Sequence, residues 1–91
     1  NLADSYKNMA DFYKKRGRLS KTKKYYLAAI EIYERLAEKN ADAYEPELAT
    51  LYYNYYLLKK DKTYLDKAYK IAKRRQDDPR CRYIVEIVES M

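Results

Sequence analysis

LADSYKN at residues 2–8 returns at residues 48–54 as LATLYYN, a shift of 46 positions. The same shift places Tyr6 on Tyr52, Asn8 on Asn54, Leu19 on Leu65 and Thr22 on Ala68. Two unrelated amphipathic helices share an apolar stripe, but they do not share an Asn within it and the length of the loop that follows. One offset that aligns both halves of each unit marks a repeated helical hairpin, and such self-similarity outranks local propensity in deciding a fold.

Working outward, apolar residues recur at three- and four-residue spacing, the period of a helix with one buried face. Leu2, Tyr6, Met9, Ala10 and Tyr13 form the stripe of a first helix over residues 2–15. Lys14, Lys15 and Arg16 suit its C-terminus, and Gly17 can take the left-handed cap. A second helix runs from Leu19 to Lys39 on Leu19, Thr22, Tyr26, Ala29, Ile30, Tyr33, Leu36 and Ala37, and residues 40–43 break the pattern. Pro46 reads as the first turn of a third helix, where its missing N–H costs nothing; Leu48, Leu51, Tyr52, Tyr55, Tyr56 and Leu58 carry it to Lys60. Asp61 stands where an N-cap is wanted for a fourth helix over residues 62–75, built on Leu65, Ala68, Tyr69, Ile71 and Ala72. Asp77-Asp78-Pro79 stops that helix and restarts the chain. A fifth helix over residues 80–90 carries Ile84, Ile87, Val88 and Met91 on one side.

Composition agrees with an all-helical domain. Of 91 residues only one is Gly and two are Pro, too few for a turn-rich β protein. Thirteen Tyr stand against one Phe and no Trp, so rings whose hydroxyls need water or a partner must supply much of the packing bulk. No His and a single Cys, Cys81, exclude a zinc site or a His-based triad from this chain and leave no internal disulfide. Arg80 and Arg82 flank that Cys and favour its thiolate, but no base stands ready to activate it. Asp and Glu are scattered without a convergent pair, and no Gly-rich phosphate loop occurs. Neither an enzyme nor a cofactor is expected. No apolar run is long enough to span a membrane. No signal segment opens the chain, which makes a cytoplasmic protein the expectation.

Within residues 3–36, Tyr6, Met9-Ala10, Tyr13, Gly17, Leu19, Thr22, Tyr26 and Ala29 alternate large and small side chains in a pattern that resembles the tetratricopeptide repeat. Tyr52, Tyr55, Leu65, Ala68 and Ala72 follow the frame more loosely, with Tyr56 and Arg75 where small residues are usual. The segment Asp42-Ala43-Tyr44-Glu45-Pro46 is similar to the turn of the long-repeat, kinesin-light-chain-like variety. The resemblance implies a right-handed α-solenoid of two hairpins, residues 2–39 and 46–76, with residues 80–90 as a capping helix. Such arrays bind protein segments on a concave wall lined by the first helix of each hairpin. That wall would comprise Asp4, Lys7, Asn8, Asp11 and Lys14 from the first hairpin, and Thr50, Tyr53, Asn54, Leu57 and Lys60 from the second. Tyr53 is expected to be the exposed ring of the Tyr52–Tyr56 cluster, the others packing between helices. Some relatives in this family clamp a C-terminal carboxylate with Lys and Asn at the positions of Lys7 and Asn54; Asp11 would repel that carboxylate. Asn1-Leu2-Ala3 reads as mid-helix sequence, so the chain is taken as a C-terminal part of a longer protein, its N-terminal face open to upstream repeats or to self-association.

A second candidate surface is a basic rim. Lys14, Lys15, Arg16, Arg18, Lys21, Lys23 and Lys24 place seven cations around the first turn with no acid among them. Lys59, Lys60, Lys62 and Lys67 occupy the equivalent turn of the second unit, relieved by Asp61 and Asp66. Lysines at a helix start oppose its dipole, so local stability does not account for them. Phosphate binding or simple solvation would, the latter balanced by an acidic rim of Glu38, Asp42, Glu45 and Glu47. Without a base-reading signature, nucleic acid is not the expected partner; RNA or phospholipid bound at the rim is the alternative to a protein-binding groove, and a purely structural cap is the third possibility.

Overall fold

The computed structural model describes residues 2–91, which form five helices and, among the described residues, no strand: α1 (Leu2–Lys15), α2 (Leu19–Lys39), α3 (Ala41–Lys59), α4 (Lys62–Arg74) and α5 (Pro79–Glu89). Helix α1 ends in a Schellman turn. Gly17 has φ +73°, its N–H donates to Lys14 and the N–H of Arg18 donates to Tyr13, satisfying carbonyls that the helix leaves open. Helices α3, α4 and α5 begin on side-chain caps from Asn40, Asp61 and Asp78. Helix α2 begins on Arg18, which supplies no cap.

The start of α3 departs from the sequence reading. Asn40 accepts from the N–H of Ala43 and opens the helix at Ala41, which puts Pro46 inside it rather than at its first turn. Two features compensate for the bond that Pro46 cannot donate. Tyr44 packs on Tyr33 with ring centroids 6.0 Å apart, and Arg75 donates to both Asp42 and Glu45. These long-range contacts hold an extra turn and a half that a local rule assigns to a loop.

Each helix packs on the next. Tyr26 donates to Asp11 and Tyr33 to Asp4, partners that run in opposite senses and so show α1 and α2 to be antiparallel. The fully buried Ala3 and Ala10 let these two helices approach closely. Tyr52 of α3 donates to Glu34 of α2, and Tyr55 meets Tyr64 of α4 edge-on at 4.6 Å. Helix α5 packs on α4 and also on α3, in the same direction as α3: Glu47 meets Arg80, and six residues on Tyr53 meets Tyr83. No Cα of α1 lies within 8 Å of α3; the Lys7–Glu47 ion pair, 2.9 Å, links them.

The two repeat units match in their centres and differ at their edges. Ala3 and Ala49, and likewise Thr22 and Ala68, are all fully buried. Leu2 is 59% exposed against 5% for Leu48, and Leu19 61% against 5% for Leu65. Helix α2 covers Leu48; among the described residues no helix does the same for Leu2. On α5 the buried face is Cys81, Ile84 and Val85, while Met91, expected there, is exposed.

Candidate functional site

The wall expected along α1 and α3 divides into two concavities. On α1, Asn8, Asp11, Phe12, Lys15 and Arg16 border a shallow depression of about 520 Å³. On α3, Thr50, Tyr53 and Asn54 face α5 and form a tighter cleft of about 170 Å³ with Arg80, Tyr83 and Ile84. The reason for the division lies in what α1 offers its neighbour. Lys7 and Asp11 are committed to Glu47 and Tyr26, so there is no apolar surface to draw α1 onto α3. Helix α5 brings Ile84 and Tyr83 to α3 instead.

Several expected wall residues are spent on the fold. Asp4 and Asp11 accept from Tyr33 and Tyr26 at 2.7 and 3.2 Å, and the Tyr33 bond holds the Asp4 carboxyl below the ordinary carboxylate range. Burial, with Asp11 beside it, pushes the Tyr26 phenol up to about 12. Thr50 donates to the carbonyl of Pro46 in its own helix. Lys14, Leu57 and Lys60 are exposed and line neither concavity. Asn8 and Asn54 remain. They hold equivalent places in the repeat, each lines a concavity, and neither side-chain amide makes a hydrogen bond among the described residues.

Tyr53 is half-buried rather than exposed, set edge-on to Tyr83 with centroids 6.3 Å apart and an interplanar angle of 89°. Tyr56 is also half-buried, while Tyr52 and Tyr55 lie in the core. Burial chiefly raises the Tyr53 phenol, helped by Tyr83 and Tyr56. The exposed ring is Tyr83, at 58%. Reading α5 only as a cover for the last hairpin hid it, and nothing local distinguishes Tyr83 from a solvated helix residue.

Cys81 is fully buried, and burial raises its thiol rather than lowering it; Arg80, the neighbour expected to favour a thiolate, is held by Asp78 and Glu47. Such a thiol is a packing group. Among the described residues no His, Cys, Asp or Glu cluster has the form of a metal site, and no helix is long and apolar enough to cross a membrane.

At the basic rim, Lys14, Lys15, Arg16, Arg18, Lys21, Lys23 and Lys24 are all exposed, and none pairs with a carboxylate among the described residues. Several lie over rings instead: Arg16 over Phe12 at 4.4 Å, Lys21 over Tyr13 at 5.0 Å and Lys24 over Tyr25 at 5.7 Å. Tyr13 and Tyr25 stack nearly parallel, 5.6 Å apart. The acidic rim is no counterweight to these cations: Asp42, Glu45 and Glu47 are taken up by Arg75, Arg74, Arg80 and Lys7.

No protein-family model, curated protein or solved structure matches the chain.

Proposed function

We propose that the chain is a tetratricopeptide-like helical-repeat module, its hairpins stacked as in an α-solenoid, that holds an extended segment of another protein. The observation that carries this reading is the pair of uncommitted amides, Asn8 and Asn54, at equivalent repeat positions and each in a concavity. A side-chain amide offers one acceptor and two donors, the complement of a peptide unit. In the α3–α5 cleft the Asn54 amide lies beside the Tyr53 and Tyr83 rings. A volume of about 170 Å³ suits one apolar side chain of the bound segment, with its backbone on the amide. Rigid aromatic walls with a few placed polar groups are the usual make-up of a recognition pocket.

Asn54→Ala combined with Tyr83→Ala tests the reading, because neither side chain is in the core. Peptides selected from a random library on the wild-type chain should lose at least tenfold in affinity for the double variant, with the helical circular-dichroism spectrum unchanged. Peptides that bind both forms equally would refute the cleft as the binding site. Tyr53→Ala with Asn54→Ala should abolish capture altogether, at some cost to packing.

A further inference from the structure

The basic rim stands apart from the α3–α5 cleft and has its own composition. Because consecutive helices are antiparallel, the α1–α2 and α3–α4 turns lie at the same end of the molecule. The four cations of the second turn, Lys59, Lys60, Lys62 and Lys67, are exposed and unpaired with carboxylates like those of the first. Three of the large exposed apolar residues stand at this same end: Phe12 near the close of α1, Leu19 at the start of α2 and Leu57 near the close of α3. Leu19 is 61% exposed in the first turn of a helix, at a position whose counterpart Leu65 is buried.

From this juxtaposition we infer that the end carrying the two basic turns docks on an anionic lipid bilayer, its lysines on the headgroups and Phe12, Leu19 and Leu57 reaching the acyl boundary. Single-stranded nucleic acid is the competing polyanion, and two observations weigh against it. Base stacking needs open ring faces, but Tyr13 and Tyr25 are stacked on each other and covered by Lys21 and Lys24. Exposed leucines, moreover, contribute nothing to a phosphate backbone, whereas cations around apolar tips are what an interfacial site requires. Lysines outnumber arginines nine to two across the two turns. That balance supplies diffuse attraction to a charged surface rather than the bidentate forks of phosphate-specific recognition.

Co-sedimentation with vesicles of phosphatidylcholine, with and without phosphatidylserine, tests the inference on the whole chain. Binding should require phosphatidylserine and fall steeply with added salt. Lys23→Glu with Lys62→Glu removes one cation from each turn and suits both helix starts electrostatically, so the fold should hold; affinity should drop by roughly tenfold or more. Phe12→Ser with Leu19→Ser leaves charge untouched and should weaken vesicle binding several-fold while leaving any binding of an oligouridylate unchanged. Three results would overturn the inference: no sedimentation at low salt, vesicle binding indifferent to Phe12 and Leu19, or oligouridylate held more tightly than phosphatidylserine vesicles. The Asn54→Ala, Tyr83→Ala variant should bind vesicles like the wild type, so failure here is separable from failure of the peptide cleft.

Discussion

The two ends of this bundle carry similar cations and treat them in opposite ways. At the end holding the α4–α5 turn, Arg75 reaches Glu45 at 2.8 Å and Asp42 at 2.9 Å, Arg74 reaches Glu45 at 3.1 Å, and Arg80 is shared between Glu47 and Asp78. At the end holding the α1–α2 turn, seven cations have no carboxylate partner among the described residues. Helix direction explains the difference. The first two turns of α3 are acidic and lie beside the basic last turn of antiparallel α4, so the charges answer both each other and the two helix dipoles. Where α1 gives way to α2, the closing turn is basic and so is the opening one. Cation number therefore says little about local stability. Which helix end faces which decides it.

The largest effect expected from breaking that contrast comes from Arg75→Glu. The Arg75 and Glu45 side chains are only 21% and 17% exposed, so reversal would leave three acids crowded together with little water. A loss of about 3 kcal/mol is expected, a fall in melting temperature of roughly 10–20 °C. Lys23→Glu, the same reversal at the basic end, should cost nothing measurable in thermal unfolding. Equal losses at the two ends would show that the pairing at the first is not stabilising.

The opposite sign is expected at Arg18. It is the only N-cap among those of α2 to α5 that offers no side-chain acceptor. Arg18→Asp would supply a cap and place an anion among repelling cations, raising stability by about 1 kcal/mol, or roughly 5 °C in a thermal melt. If the basic end serves a bilayer, the stabilised variant should also bind anionic vesicles less well. A gain in stability with undiminished vesicle binding would separate this turn from docking.

How much of this was legible depends on the distance over which each feature is decided. The bounds of α1 and α2 follow from Gly17 and a strong stripe, and both helices end where the sequence suggests. The start of α3 was not legible, because Asn40 and Pro46 compete as openings. What favours Asn40 is Arg75 on Asp42 and Glu45, some thirty residues away along the chain. The wall residues Asn8 and Asn54 were found because repetition singles them out. Their separation into two concavities was not, since it turns on which helix docks beside α3, and Tyr83 carries no local mark of its role. Similarly, the exposure of Leu2 and Leu19 departs from their stripe because a stripe specifies a face and not the helix that covers it.

The smallest effect expected is one of acidity, and it too should divide the ends. Arg80 holds the Asp78 carboxyl below its ordinary value of 3.8 through a side-chain hydrogen bond, and Asp78 also caps α5 by accepting from the N–H of Arg80 at 2.8 Å. A carboxylate lowered on folding contributes stability that is complete above its unfolded pKa and is lost as pH falls through the folded one. Between pH 6 and 5 the cap should therefore be intact, and it should weaken only below about pH 4. The loss should be on the order of a few tenths of a kcal/mol, because a protonated carboxyl still has an oxygen to accept with. Amide hydrogen exchange resolves so local a change: after correction for the intrinsic pH dependence, protection at Arg80 and Cys81 should fall with acid. Protection at Lys21 and Thr22, where α2 has no carboxylate cap to protonate, should stay level. Parallel loss at both sites would mean that acid loosens the bundle as a whole and that the pairing at the α4–α5 end is not a separate, carboxylate-dependent element.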